Sequence, residues 1–516
     1  MLFLASRILG QTLDEEARLL LLEKLQEQGL VPLIRSTRFG CYRQALSGLK
    51  SESEMERVIA TLTGQEDQNS YCKGDLFCFE DHVLYLVFED AEQQNQTGGI
   101  RAGIVYESST PEPLRKLDSF CREVSGLLMR SRTDTGLSLR DGTQNLTEWR
   151  EGIPRQQHGF KLFVANQDID SLYTVARKET AAERVRGSEL LEDASARLFL
   201  RRAKEAYVEG CAAKLLANRA LDSSGLSIDK LLDAGLLRRE VLISCREMGH
   251  ILLSLPSPDA LAVMTLSNAR CNGCGSAIAD EKVEEVVAPT PLASALLEDG
   301  SWLVNRLYSV LRELGIPGSE IAIAPPLASG DAQMMLNVCG HSFLLVLRDG
   351  DLTPAFARRA TGAVIETEAT HLVIVVTGTM HEEGRLWLLN YARRRARGGR
   401  DFELKIVDGV RAAAAELQHS FEQVSQRTLA EQLCELDDGL GLNITRVVAT
   451  RFQLLQRARG IKSIARPSMR SLPPGLGKIE AGDNLVDFSS SGGVENVPGS
   501  LVKGRKDDTP LSRASK

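Results

Sequence analysis

The most regular alternation of apolar and polar positions lies between residues 298 and 418. It opens with Ser301 to Leu314, where apolar side chains recur at the spacing of one helix face, and Gly315 follows as a stop signal. Short apolar runs then alternate with further helical segments, which predicts an α/β layer whose central strands are covered on both faces. The predicted strands are 321–323, 334–338, 343–347, 371–377 and 404–407.

Several residues of this region together resemble a known family. Asp331 stands at the start of a strand, and an apolar strand ends at Arg348. The sequence Val-Val-Thr-Gly-Thr precedes a helix that contains Asn390, and Ile-Val-Asp-Gly follows, ending at Gly409. These features resemble the Mrr-like branch of the restriction-endonuclease fold over roughly a quarter of the chain. The predicted fold class is therefore a multidomain α/β protein with a restriction-endonuclease-like α/β domain at 291–425.

The resemblance implies a particular chemistry. Such nucleases hold a metal ion with one acidic residue and with a second acidic or amide residue, two positions before a lysine on the next strand. Asp331 matches the first carboxylate, but the next strand has leucines where the second ligand and the lysine would stand, and it ends at Arg348. Arginine cannot take over proton transfer, because its guanidinium does not deprotonate in proteins. The resemblance thus implies a degenerate nuclease domain that is retained for binding or assembly.

An active nuclease is the alternative for the same region. Asp349 and Asp351 lie just beyond the strand and could join Asp331 in holding Mg²⁺, the ion that a nuclease-active site would need. Two aspartates around a glycine also form an ordinary turn, so the pattern is compatible with both interpretations.

Phosphate binding is predicted for the helix that follows this strand region. Arg393, Arg394, Arg395 and Arg397 form the densest basic run in the chain. Clustered arginines suit phosphate binding, although a run of this kind on a helix also serves as a solvated face.

Two cysteine-containing turns predict a small zinc-ribbon-like module at 245–290. The second turn carries Cys271 and Cys274 before a glycine, which lets the backbone turn tightly enough for both thiolates to reach one ion. The first turn begins at Cys245 but has Met248 where the partner cysteine belongs. The predicted ligands of a structural Zn²⁺ are therefore Cys245, His250, Cys271 and Cys274. A ribbon that has lost its metal and a redox pair are the alternatives.

The remaining regions complete the predicted multidomain organisation. They are an α+β N-terminal domain at 1–150, a helical, winged-helix-like region at 158–244, C-terminal helices at 426–464 and a disordered tail at 465–516. Within them, Leu30–Ile34 and Phe160–Val164 are predicted as strands. Asp280 to Pro291 is predicted as an acidic connector between the ribbon and the endonuclease-like region.

Composition limits the classes of function. The chain has 516 residues, of which 62 are basic and 69 acidic, giving a net charge of −7. Nucleic-acid contacts must therefore come from local patches. No apolar run approaches the roughly 18 residues that span a bilayer, and the first residues lack the features of a signal peptide. Ten cysteines without a secretory signal indicate reduced thiols, a cytoplasmic location and no membrane partner.

Together these features predict a nucleic-acid-binding protein with DNA as its partner. The resemblance implies a role in a prokaryotic restriction or antiphage defence system. The alternatives are a metal-dependent DNase that uses Asp331, and a non-catalytic scaffold whose acidic N-terminal region binds a partner protein. No pattern in the sequence indicates an oligomeric state.

Overall fold

The fold is a mixed α/β arrangement in which fourteen helices and three sheets are described. The computed structural model describes residues 1–43, 58, 73–89, 99–135, 148–153, 158–208, 227–257, 259–260, 263, 269–298, 300–325, 327, 329–398, 401–437 and 442–464. The chain divides into two compact units, Met1–Leu455 and Gln456–Lys516. The tail predicted at 465–516 lies outside the described residues.

An antiparallel five-stranded sheet forms the N-terminal region. Its strands are β1 (Leu2–Leu9), β2 (Gly74–Cys78), β3 (His82–Phe88), β4 (Ile100–Glu107) and β5 (Arg150–Glu151), in the order β2-β3-β4-β1-β5. The helices of this region are α1 (Glu15–Glu27), α2 (Leu33–Arg43) and α3 (Pro113–Thr135). Helices α1 and α3 bury their apolar side chains against one sheet face, where Leu25 and Phe120 meet Leu84 and Ile104.

The strand predicted at Leu30–Ile34 is wrong, because α2 begins at Leu33. The buried carboxylate of Asp75 on β2 accepts the amides of Ile34 (2.7 Å) and Arg35 (2.9 Å). The first amides of a helix have no partner within that helix, so this carboxylate stabilises the start of α2. The acceptor lies 41 residues along the chain from Ile34, beyond the reach of a local pattern.

A group of helices follows the first sheet. These are α4 (His158–Ala165), α5 (Ile169–Glu179), α6 (Ala182–Leu190), α7 (Ala194–Val208) and α8 (Ile228–Asp233). The strand predicted at Phe160–Val164 is therefore wrong, since this apolar run is α4, and Phe160 and Phe163 pack into a core cluster. A short apolar run shows too few periods to separate a strand from a buried helix. Of the first helix predicted for the winged-helix-like region, 209–216 lies outside the described residues.

A three-stranded antiparallel sheet carries the cysteine-containing turns. Its strands are β6 (Leu237–Ser244), β7 (Ile251–Leu255) and β8 (Lys282–Pro289), in the order β7-β6-β8. The connector predicted at Asp280 to Pro291 is wrong for most of its length, because β8 pairs with β6 along all eight residues. The charged residues of this segment favoured a connector, although Val286 and Ala288 of the strand are buried.

The third sheet lies in the region with the strongest sequence pattern. Its strands are β9 (Ile321–Ile323), β10 (Asp331–Val338), β11 (His341–Arg348), β12 (His371–Val376) and β13 (Glu403–Asp408), in the order β13-β12-β11-β10-β9. Strands β9, β10 and β11 are antiparallel, whereas β11, β12 and β13 are parallel. The helices are α9 (Pro291–Glu298), α10 (Ser301–Glu313), α11 (Pro354–Thr367), α12 (Glu382–Arg397), α13 (Gly409–Leu433) and α14 (Ile444–Ile464).

Strand β12 confirms the predicted burial on both faces. Leu372 and Ile374 point into the cluster formed with α11 and α12, whereas Val373 and Val375 join the cluster that contains α10 and α13. The β10–β11 hairpin turns at Cys339 and Gly340, both with positive φ (50° and 82°), as a two-residue primed turn requires. This turn sets the register that pairs Asp331 with Arg348.

One hydrophobic cluster extends across regions that the sequence predicts as separate domains. It joins Phe3 and Val105 of the first sheet to Phe343 of the third sheet and Phe421 of α13. The regions predicted at 1–150 and 291–425 thus share a core within the unit Met1–Leu455. Among the described helices, none combines the length and apolar character that a membrane crossing needs.

Candidate metal centre and nucleic-acid interface

Asp331 lies at the start of β10 in a group of charged side chains. Arg348 donates from Nη1 to Oδ1 (2.7 Å), and Arg359 of α11 donates from Nε to Oδ2 (2.6 Å). The Ser329 hydroxyl donates to Oδ2 as well (2.9 Å). The Asp331 residue is only 1% exposed, so its charge is compensated by two arginines. Both carboxylate oxygens are therefore occupied by donors from the chain.

The neighbouring residues do not supply the other parts of a nuclease site. Leu345 and Leu347, which stand where the resemblance puts the second ligand and the lysine, are both buried in a core cluster. Asp349 accepts hydrogen bonds from Trp302 Nε1 (2.9 Å) and from the Thr377 hydroxyl (2.6 Å), and it pairs with Arg201 and Arg197. Asp351 is exposed and accepts the amide of Thr379 (2.6 Å). In the described part of the chain, these carboxylates belong to no group whose ligand atoms are close enough to hold a metal ion.

The arginine run occupies the C-terminal half of α12. Arg393, Arg394 and Arg397 are exposed, and no carboxylate among the described residues forms an ion pair with them. Arg395 differs from the other three, because its guanidinium lies over the rings of Phe402 (5.2 Å) and Tyr391 (5.9 Å). Residues three and four apart share a helix face, so Arg393 and Arg397 project on the same side. Three arginines are thus exposed to solvent, while the fourth is held by packing.

Asp331 and this arginine run lie at opposite edges of the sheet. Asp331 pairs with Arg348 at the carboxyl end of β11, and α12 starts beyond the carboxyl end of the parallel strand β12. The helix then returns, so Arg393 to Arg397 lie beside the start of β13, where Arg395 contacts Phe402. A strand of six residues spans about 20 Å. One phosphate group cannot contact both places.

The predicted cysteine ligands converge. The Sγ atoms of Cys245 and Cys274 are 3.6 Å apart, and Cys274 Sγ lies 3.3 Å from Oε1 of Glu281. The ligand atoms of Cys245, Cys271, Cys274 and Glu281 all lie within 4.8 Å of one another. This group of residues, here the cysteine cluster, could hold a metal ion. Three sulfur donors and one carboxylate in such proximity form a donor set that zinc accepts.

The two turns that present the cysteines have the same backbone geometry. The amide of Gly249 donates to the carbonyl of Cys245, and the amide of Gly275 donates to that of Cys271, each at 2.9 Å. Both glycines have positive φ, 69° and 78°, which glycine adopts without the steric cost of a side chain. The first turn keeps this geometry although Met248 replaces its second cysteine.

His250 does not join the group that the structure brings together. Its side chain is exposed, and its backbone carbonyl accepts the amide of Cys245 at 2.9 Å. Glu281, which immediately precedes β8, supplies the fourth ligand atom of the cluster. The sequence pattern missed Glu281, because a single glutamate 36 residues after Cys245 in a predicted connector carries no ligand signature.

Hydrogen bonds favour the charged forms of two members of the cluster. The Arg246 amide, which donates to Glu281 Oε2 (2.7 Å), lowers the pKa of that carboxyl group. The amides of Cys274 and Gly273 lower the pKa of Cys271. Ser276 favours the thiolate of Cys274, but burial together with the neighbouring sulfurs of Cys271 and Cys245 outweighs it and raises the pKa of Cys274 to about 11. A bound cation would relieve this repulsion, since metal binding and thiol deprotonation are linked.

No family model, curated protein or solved structure matches this chain.

Proposed function

We propose that this protein binds the phosphate backbone of nucleic acid through the exposed arginines of α12 and does not cleave it. The observation that carries this proposal is the state of Arg393, Arg394 and Arg397, which are exposed and form no ion pair with a described carboxylate. Guanidinium groups bind phosphate oxygens in bidentate fashion and release counterions from the polyanion. Arg395 supports the neighbouring side chains by fixing the end of the helix against Phe402.

The charge distribution at the other edge of the sheet supports this assignment. There Arg348 and Arg359 are paired with Asp331, and Arg197 and Arg201 with Asp349. An arginine already paired with a carboxylate must lose that partner before it can bind a phosphate. Arg393, Arg394 and Arg397 have no such partner among the described carboxylates to lose.

The absence of cleavage follows from Asp331. A catalytic Mg²⁺ needs free carboxylate oxygens, and both oxygens of Asp331 accept hydrogen bonds from positively charged side chains. The order helix, three strands, helix, strand from α10 to β12 supports the proposal of a degenerate restriction-endonuclease-like domain. DNA as the partner, and a place in a prokaryotic restriction or antiphage defence system, belong to this same proposal.

We also propose Zn²⁺ as the ion of the cysteine cluster, in a structural role. Thiolate-rich sets of four ligands favour zinc, and a site in which the protein supplies all four ligands leaves no position for a substrate. Elemental analysis of the purified full-length chain should find about one equivalent of zinc per chain, whereas clearly less than one equivalent under reducing conditions would contradict a structural zinc.

Titration of DNA binding against salt tests the main proposal. Fluorescence anisotropy of a labelled duplex should show an affinity that falls steeply as salt rises, because each phosphate contact releases counterions. Replacing Arg393 and Arg397 by glutamine should weaken binding to all sequences alike and reduce the salt slope by about two. No cleavage product should appear with Mg²⁺ or Mn²⁺.

A matched control has the same loss of two positive charges elsewhere. Arg115 and Arg239 are exposed and each pairs with acidic residues, so Arg115→Gln with Arg239→Gln should leave affinity and slope close to those of the unmodified chain. Equal losses in both double variants would indicate a general charge effect and contradict the assignment to α12. Absence of salt-dependent binding in the unmodified chain would instead favour the protein-interaction scaffold.

A further inference from the structure

We propose that Glu281 is the fourth protein ligand of the metal ion, so that the centre has three sulfur donors and one oxygen donor. This inference rests on the proposed metal site and specifies its coordination. The sequence pattern indicates His250 as the fourth ligand. In this inference the carboxylate of Glu281, at the start of β8, takes that place. Its consequence is that the ion joins the end of β6, the turn at 271–274 and the start of β8.

The distances fit a tetrahedral ion. With zinc–sulfur bonds of about 2.3 Å and a zinc–oxygen bond of about 2.0 Å, tetrahedral angles separate two sulfurs by about 3.8 Å and a sulfur from an oxygen by about 3.5 Å. The corresponding distances here are 3.6 Å between Cys245 and Cys274 and 3.3 Å between Cys274 and Oε1 of Glu281. A single ion can therefore bind these atoms with only small shifts of the side chains.

The position of Glu281 is fixed independently of any ion. Its residue is 3% exposed, and its second oxygen, Oε2, accepts the Arg246 amide at 2.7 Å. This hydrogen bond directs Oε1 at the sulfur atoms and supplies the outer contact that ligating carboxylates usually have. Once the neighbouring thiols are deprotonated, a buried carboxylate beside them is costly unless a cation compensates the negative charge.

Met248 explains why a carboxylate is needed. In the second turn, Cys271 and Cys274 are three residues apart, and both bind the ion in our proposal. In the first turn the equivalent pair is Cys245 and Met248, and the Met248 residue is 62% exposed. The thioether carries no charge and does not replace a thiolate. The position of the missing fourth thiolate is thus taken by Glu281.

Cobalt substitution of the full-length chain tests this coordination. In tetrahedral Co²⁺ sites, the sulfur-to-metal charge-transfer absorption grows with the number of thiolates, and the visible bands move to longer wavelength as oxygen is replaced by sulfur. We expect the spectrum of three sulfurs and one oxygen. Glu281→Cys should shift it to that of four sulfurs, whereas His250→Gln should leave it unchanged.

A second pair of variants keeps the test valid if Glu281→Cys does not fold. Glu281→Gln should weaken Co²⁺ and Zn²⁺ binding by at least 10- to 100-fold, measured by competition with a chromophoric chelator. Adding Met248→Cys to Glu281→Gln should restore tight binding with a four-sulfur spectrum, because the first turn already has the geometry of the second.

The outcomes separate the inference from the proposal on which it rests. If the unmodified chain binds neither Co²⁺ nor Zn²⁺ under reducing conditions, the metal site itself is wrong. If it binds the ion but His250→Gln changes the spectrum and Glu281→Gln does not, the site stands and Glu281 is not a ligand. Retention of full affinity in Glu281→Gln would contradict the inference in the same way.

Discussion

At the scale of single residues, the hydrogen-bond partners of Asp331 determine whether the third sheet could hold a metal ion there. A carboxylate that is 1% exposed must be compensated, and Arg348 and Arg359 compensate it with direct hydrogen bonds. These two arginines have side chains that are 26% and 41% exposed, so the ion pairs reach the surface while the carboxylate does not. The group therefore stabilises the carboxyl edge of the sheet, which supports the proposal of a non-catalytic domain.

Replacing Asp331 by asparagine should lower the free energy of unfolding by about 2–4 kcal/mol, because two guanidinium groups lose their charged partner. Chemical denaturation measures the loss. The double variant Asp331→Asn with Arg348→Gln should lose less than the sum of the two single variants, since the two residues contact each other. Additive losses would show that the pairing has no energetic importance, and a loss of DNA cleavage in Asp331→Asn would contradict the non-catalytic assignment.

Some residue-level features follow from the sequence and others do not. The convergence of Cys271 and Cys274 follows from their spacing before a glycine, because a turn of that length brings both sulfurs to one ion. The pairing of Asp331 with Arg348 depends on the register of the β10–β11 hairpin, which the two-residue turn fixes. The position of Glu281 beside the cysteines depends on the pairing of β8 with β6. This is a contact between distant segments, and no local sequence pattern encodes it.

At the scale of elements, Asp75 connects the first sheet to α2. Its carboxylate accepts three backbone amides, those of Ile34, Arg35 and Leu76, in a buried position. Burial is the larger effect, and it raises the pKa of Asp75 to about 7 despite these donors. The helix start is thus attached to the sheet through a titratable group.

This attachment predicts a dependence of stability on pH. Between about pH 4 and about pH 7 the folded chain keeps a proton on Asp75 that the unfolded chain releases, so the free energy of unfolding should fall as pH rises through this window. Thermal unfolding, measured across this pH window, should show the fall in stability for the unmodified chain and not for Asp75→Asn. The difference between the two curves should amount to a few kcal/mol across the window. An identical pH profile in both proteins would contradict a raised pKa.

Elements with long, strongly patterned sequences are predictable, and short apolar runs are not. Strand β12 combines β-branched residues with burial on both faces, and the sequence identifies it correctly. The run from Phe160 to Val164 has similar apolar content, yet it forms α4, because its two phenylalanines fit the core on one helix face. Tertiary packing decides such cases.

At the scale of the whole molecule, the exposed arginines proposed to bind phosphate and the arginines paired with carboxylates lie at different edges of one sheet. Beside the carboxyl end of β11, Asp331 and Asp349 are paired with arginines, and Asp349 also accepts a hydrogen bond from the Thr377 hydroxyl just beyond β12. The start of β13 adjoins the unpaired arginines of α12. The sequence predicts that the paired and the exposed arginines belong to one domain. The direction of α12, which the sequence does not give, separates the two groups by about the length of a strand.

Hydrogen exchange on DNA binding tests this arrangement most directly. Backbone amides in the last turns of Glu382–Arg397 should exchange more slowly when a duplex is added at low salt, and Arg393→Gln with Arg397→Gln should abolish the effect. Amides of Asp331–Val338 and His341–Arg348 should exchange at unchanged rates, because the paired edge is not the binding face. Protection of those two strands, with no change along α12, would contradict the account.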